Sequence, residues 1–129
     1  MTMKTILTST KSVDQAAADF TEAVTRNGFG VLHTYDLKAT LNGKGIPFEH
    51  ELRIFEICNP MRASEVLSAD MEMNMALPCR VSVYEQDGQT KIGMINPSSM
   101  LSMLSDAPEL DSIAQQVESS IITMMQEAK

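Results

Sequence analysis

The sequence predicts an α+β fold, because segments of period-two alternation are interleaved with segments whose apolar residues recur at helical spacing. Two local signatures sharpen that expectation. Asp87-Gly88 lies between two alternating runs as a two-residue hairpin turn, and Asn59-Pro60 and Asn96-Pro97 both carry the cap-then-proline grammar of a helix start. A chain of 129 residues, 43% hydrophobic and 21% charged, has the size of a single domain around one continuous core, so one domain over 1–129 is expected.

Met3 to Ser9 alternates and predicts the first strand. Ser12 and Gln15 have capping-box spacing, and Val13, Ala16, Ala17, Phe20 and Val24 follow at helical intervals until Asn27-Gly28 supplies a left-handed stop. Phe29 to Tyr35 predicts a strand with Phe29, Val31, His33 and Tyr35 on one face. Asp36 to Pro47, with two glycines and a proline, reads as a long functional loop. A third strand is expected over Phe48 to Cys58, with Glu49, Glu51 and Arg53 on one side, His50, Leu52 and Ile54 on the other, and cover near Phe55 and Ile57.

Asn59 caps a helix over Met61 to Ser68, after which Met71 to Met75 reads as extended. The hairpin joins Cys79–Gln86 to Gln89–Ile95. Counting outward from its turn sets Val83 against Ile92, Val81 against Met94 and Cys79 against Asn96, with Arg80, Ser82 and Tyr84 on the reverse face. A short helix over Ser98 to Leu104, a break at Asp106-Ala107-Pro108 and a long helix begun by an Asp106/Glu109 capping pair complete the chain. The long helix carries Leu110, Ile113, Ala114, Val117, Ile121, Met124 and Met125 as a core stripe.

Charge excludes some partners. With 17 acidic against 10 basic side chains the formal charge is -7, which opposes phosphate backbones and anionic lipid. The first ten residues alternate instead of forming the unbroken apolar run of a signal peptide or membrane span, so a cytoplasmic location and no membrane partner are expected. Two cysteines are too few for a disulfide scaffold and are read as free thiols. Eleven methionines supply flexible filling for a core or interface.

The candidate sites follow from these placements. Cys58 and Cys79 are read as lying at helix N-termini, where orphan N–H groups and the helix dipole favour a thiolate, although Cys79 also shares the apolar face of Val81 and Val83 as a packing residue would. Asn59 and Arg80 flank them. Met71, Met73 and Met75, as thioethers on one side of an extended segment, suit soft Cu(I), but no Cys-x-x-Cys or His-x-His anchors a metal. His33 and His50 could line a cleft with Tyr35. Arg80 and Tyr84 could hold a small anion or form a dimer contact. A phosphate-cradling glycine loop, a nucleophile elbow and a His/Glu metal motif are missing, and no cofactor is expected.

Gly28-Phe29, Ile57-Cys58-Asn59-Pro60, Ala63, Leu67 and the run Leu77-Pro78-Cys79-Arg80-Val81-Ser82-Val83-Tyr84-Glu85 together resemble the domain of unknown function 302 family, over about Lys4 to Met125. The resemblance implies an α+β domain with a curved antiparallel sheet of about five strands packed by helices, of the TATA-box-binding-protein-like class and commonly self-associating. It implies no established reaction, and a saddle-shaped sheet does not by itself carry nucleic-acid binding. The expected protein is a homodimeric binding module for a small anionic or sulfur-containing ligand near Cys58, Asn59, Cys79 and Arg80. Cu(I) handling through the methionines and cysteine-dependent catalysis are the alternatives.

Overall fold

The computed structural model describes residues 2–129. In chain order the elements are β1 (Lys4–Ser9), α1 (Val13–Arg26), β2 (Gly30–Asp36), α2 (Leu37–Gly43), β3 (Leu52–Cys58), α3 (Pro60–Ala69), a 3-10 turn (Met71–Ala76), β4 (Cys79–Gln86), β5 (Gln89–Ile95), α4 (Pro97–Leu104) and α5 (Glu109–Ala128). The strands form one antiparallel five-stranded sheet in the order β1-β5-β4-β3-β2. The α+β expectation therefore holds.

Local chemistry explains most boundaries. Ser12 Oγ accepts the Gln15 N–H at 3.1 Å to start α1, while the Gln15 amide reaches forward to Asp19 and leaves the box half formed. At the other end Gly28 takes φ 81°, and its N–H and that of Phe29 return to the Thr25 and Val24 carbonyls, which is a Schellman stop. Asp87 and Gly88 both adopt positive φ, as a two-residue hairpin turn requires, and pairing from Gln86↔Gln89 to Ser82↔Gly93 includes the expected Val83↔Ile92. The β4–β5 ladder stops there, so Val81/Met94 and Cys79/Asn96 lie beyond its paired stretch.

One sheet face is covered by α1 and α5. Phe20, Ile57, Val81, Val83, Ile92, Ile121, Met124 and Met125 are all fully buried in this main core. Arg53 lies on the same face at its margin, where its guanidinium pairs with Asp14 of α1. A second cluster of Val66, Met73, Leu101, Leu110 and Ala114 joins α3, the 3-10 turn, α4 and α5 beyond the end of the sheet. The reverse face carries Ile6, Ile54, Ser82, Tyr84 and Gly93, and among the described residues no helix lies over its centre.

Several expectations are corrected. Asp36 to Pro47 is not wholly loop: Asp36 Oδ1 accepts the Ala39 N–H at 3.0 Å and nucleates α2, a helix with no fully buried residue, whose apolar pair at helical spacing, Leu37 and Leu41, is half-buried. The third strand begins at Leu52, leaving Phe48 to Glu51 outside the sheet. A bulge between Val31 and His33 leaves Leu32 unpaired, so Val31 stays with Ile57 while His33 and Tyr35 turn to the face of Glu56 and Ile54. The Met71–Met75 segment is a 3-10 turn, not extended, because Asp70 Oδ1 accepts the Glu72 N–H and winds it. Neither Asn96 nor Asp106 caps a helix with its side chain. Asn96 bonds Thr5 Oγ1 and the Thr2 carbonyl instead, and the entrance of α4 is taken by Glu118 of α5, which accepts from Ser98 N at 3.0 Å and Ser98 Oγ at 2.6 Å.

Ile121→Ala should lower the unfolding free energy by about 2–5 kcal/mol, because a fully buried side chain leaves a cavity. Asp36→Ala should cost about 0.5–2 kcal/mol, because it removes the cap of an exposed helix and a carboxylate 3.8 Å from Arg53 Nε. Urea unfolding of both variants measures the contrast, and an equal loss would mean that α2 belongs to the cooperative core.

Candidate functional site

The end of the sheet where β3 stops and β4 begins is built by two adjacent irregularities. Asn59 closes β3 and opens α3, its Oδ1 accepting the Met61 and Arg62 N–H groups at 3.1 and 3.2 Å. The Leu77-Pro78 peptide is cis and delivers Cys79 to β4 directly opposite Ile57. Cys58 and Cys79 are thereby brought to one cavity of about 260 Å³, and both remain free thiols. Its walls are apolar and come from every neighbouring element: Phe29 and Leu32 from the β2 side, Ala63 and Val66 from α3, Met100 and Leu101 from α4, Ala114 and Val117 from α5. Asn59 and Arg62 supply the polar lining, and Arg62 Nη1 is held by Glu65 at 3.1 Å.

The electrostatics of the two cysteines differ from the expectation. Cys58 does directly precede a helix cap, whereas Cys79 opens a strand and gains no helix dipole. Burial pushes the Cys79 thiol up to about 11, with a smaller contribution from neighbouring Cys58. At neutral pH Cys79 is a protonated, soft, apolar-walled thiol and not an activated nucleophile.

The other expected residues separate into three places. On the uncovered sheet face, Tyr35 donates its hydroxyl to Glu56 Oε1 at 2.9 Å, Arg80 Nη2 donates to Glu56 Oε2 at 3.1 Å, and the His33 ring lies edge-on to Tyr35 at 4.4 Å. The hydrogen bond to Glu56 raises the Tyr35 phenol above its ordinary value, since ionising it would set two anions side by side. Tyr84 shares this face, with its ring edge against Gly93. His50 is not in this group: it lies outside the sheet, largely exposed, with Nδ1 3.9 Å from Glu85. The methionines diverge. Met73 is 3% exposed in the second core, while Met71 and Met75 are 67% and 78% exposed, because i, i+2 positions on a 3-10 turn do not share a side. Among the described residues no group of three or more His, Cys, Asp and Glu side chains is placed to hold a metal, and no helix is long and apolar enough to cross a membrane.

The cavity walls escape sequence reasoning. Val66, Leu101 and Ala114 read as ordinary stripe residues, and the signal available was the small side chains Ala63, Ala76 and Ala114, which leave space where three helices meet a sheet end.

The model of a family described as domain of unknown function DUF302 matches residues 5–128. A crystal structure of an uncharacterized conserved DUF302 protein from Bacillus stearothermophilus is 29% identical, with 100% of both chains covered and a TM-score of 0.94. No curated protein matches the sequence. With the match running from β1 to the end of α5 and the same fold throughout, the chain belongs to the DUF302 family.

Proposed function

We propose that this protein is a binding module that takes the apolar body of a small ligand into the cavity beside Cys58 and Cys79. The observation that carries the reading is the cavity itself: about 260 Å³ of apolar-walled space lined by two free thiols where the two cores meet. An engineered cavity of about 150 Å³ accepts benzene, so by proportion this space suits an apolar moiety of roughly ten carbons. The thiols act as soft, polarizable lining. They favour thioether or aliphatic contact, which narrows the anionic or sulfur-containing ligand expected from sequence to one with an apolar body.

Catalysis with Cys79 as the nucleophile is the weaker reading because burial holds that thiol protonated. Cu(I) handling through Met71, Met73 and Met75 is weaker still, since the buried Met73 and its exposed neighbours face different surroundings.

Titration with decan-1-ol, followed by amide chemical shifts, should perturb Cys58, Ala63 and Cys79 and saturate; Ala63→Phe, which fills the space from a half-buried helix position, should abolish that response while leaving the circular dichroism unchanged. Wild-type protein silent at those amides would remove the reading. The thiol assignment has its own pH signature. The folded Cys79 value, about 11, lies above the ordinary thiol value of 9.0, so between those values the unfolded chain holds fewer protons than the native one. Its contribution to stability is therefore complete below about pH 9 and lost as pH rises through about 11. Alkylation by iodoacetamide, resolved by mass spectrometry, should leave Cys79 slow at pH 8 and accelerate it only toward that upper value; rapid labelling at pH 7 would restore the nucleophile reading.

A further inference from the structure

The cavity does not end at the sheet. On the uncovered face a second hollow of about 560 Å³ runs beside Ile6, Ile54, Ser82, Tyr84 and Gly93, and it shares Ala76, Leu77, Pro78, Cys79, Pro97 and Met100 with the first. Those six residues form a partition between two compartments. On the helix side the compartment is apolar apart from Asn59 and Arg62; on the open side it is mixed.

Arg62 is the charged lining of the helix-side compartment, and the open compartment carries two cations. Among the described residues its charged lining consists of Lys4 and Arg80, with no carboxylate, although the whole chain carries a net charge of -7. Lys4 extends from the β1 end on the same face as Ile6, opposite Ile95. Arg80 is 61% exposed, and Glu56 accepts one Nη2 hydrogen bond from it, which orients the guanidinium and leaves further donors for a ligand. On β5, the strand between those of the two cations, Ile95 is paired with Lys4 and is 60% exposed, and Gly93 lies further along between Ile6 and Ser82, where the Ile6 and Tyr84 side chains close in to 3.4 and 3.6 Å of a Cβ position.

We propose that groove and cavity form one two-compartment site for an amphipathic organic anion, its apolar tail in the cavity beside Cys58 and its carboxylate in the groove between Lys4 and Arg80, with Cys79 in the partition. This rests on the cavity reading above and adds the head group and its cations. A carboxylate suits the site because Arg offers a planar fork of donors and Lys a point charge, and the apolar walls reject a ligand charged along its whole length.

Decanoate and decan-1-ol share a tail and differ in the head, so calorimetric titration of both separates the compartments. Decanoate should bind wild-type protein at least about tenfold more tightly than decan-1-ol, and Lys4→Gln/Arg80→Gln should cancel that advantage while changing decan-1-ol by less than about twofold. Lys4→Arg/Arg80→Lys, which keeps both charges, should retain decanoate binding. Equal affinities for the two ligands in wild-type protein would overturn the head compartment and leave the cavity reading standing. Failure of both to bind would overturn the two together. If the double Gln variant turned a dimer into a monomer in sedimentation velocity without altering decanoate affinity, the groove would belong to a second copy of the chain and the proposal would fall.

Discussion

Everything at the ligand-sized end of this molecule depends on α5 entering two cores at once. Its C-terminal half lays Val117, Ile121, Met124 and Met125 on the sheet, and its first turns place Leu110 and Ala114 among α3, α4 and the 3-10 turn. Ile113 packs against both clusters. A helix of 20 residues spans about 30 Å, enough to serve both with one apolar stripe. The gap between the clusters is where the cavity opens, and the small side chain of Ala114 keeps it open. Glu118 strengthens the arrangement from the polar side by capping α4, so the wall bearing Met100 and Leu101 is fixed by the same helix that lines the cavity.

The parts legible in the sequence are those encoded by neighbours in the chain. Ser12, Asn59 and Asn27-Gly28 name their helix ends because a cap bonds within a few residues of itself, and Asp87-Gly88 fixes a hairpin register because a two-residue turn leaves no freedom in the count. Asn96-Pro97 shows the limit of that logic. The same dipeptide grammar produces a helix start there, but the cap comes from Glu118, 20 residues away from Ser98, and Asn96 is engaged by Thr5 across the sheet. Tertiary partners outcompeted the local one. For the same reason simple alternation misplaces His33 and Tyr35: a single unpaired residue, Leu32, inverts it, and nothing in Gly30 to Tyr35 marks where the pairing slips.

The candidate site was half legible. Cys58 and Asn59 could be placed because strand end and helix start are both local signals, and Cys79 could be placed on the hairpin. Their convergence depends on the Ile57↔Cys79 pairing, which is a contact between segments joined by α3 and the 3-10 turn. The chemistry changed with that convergence. A thiol beside a helix dipole and a thiol walled by apolar side chains share one sequence neighbourhood, and only burial decides between a lowered and a raised pKa.

The bulge at Leu32 has a consequence for solubility as well as for the placement of His33. β1 and β2 are the two margins of an open sheet, and a margin exposes backbone donors and acceptors on which another strand can grow. Leu32 is 62% exposed, a hydrophobic residue on such a margin, where a flat strand would invite addition by a second chain. Because the bulge twists β2 and breaks its hydrogen-bonding cadence, and because α2 follows directly at Leu37, that margin offers no long regular template. The β1 margin keeps an unbroken register from Lys4 to Ser9, and the sheet is therefore asymmetric in where it can be extended.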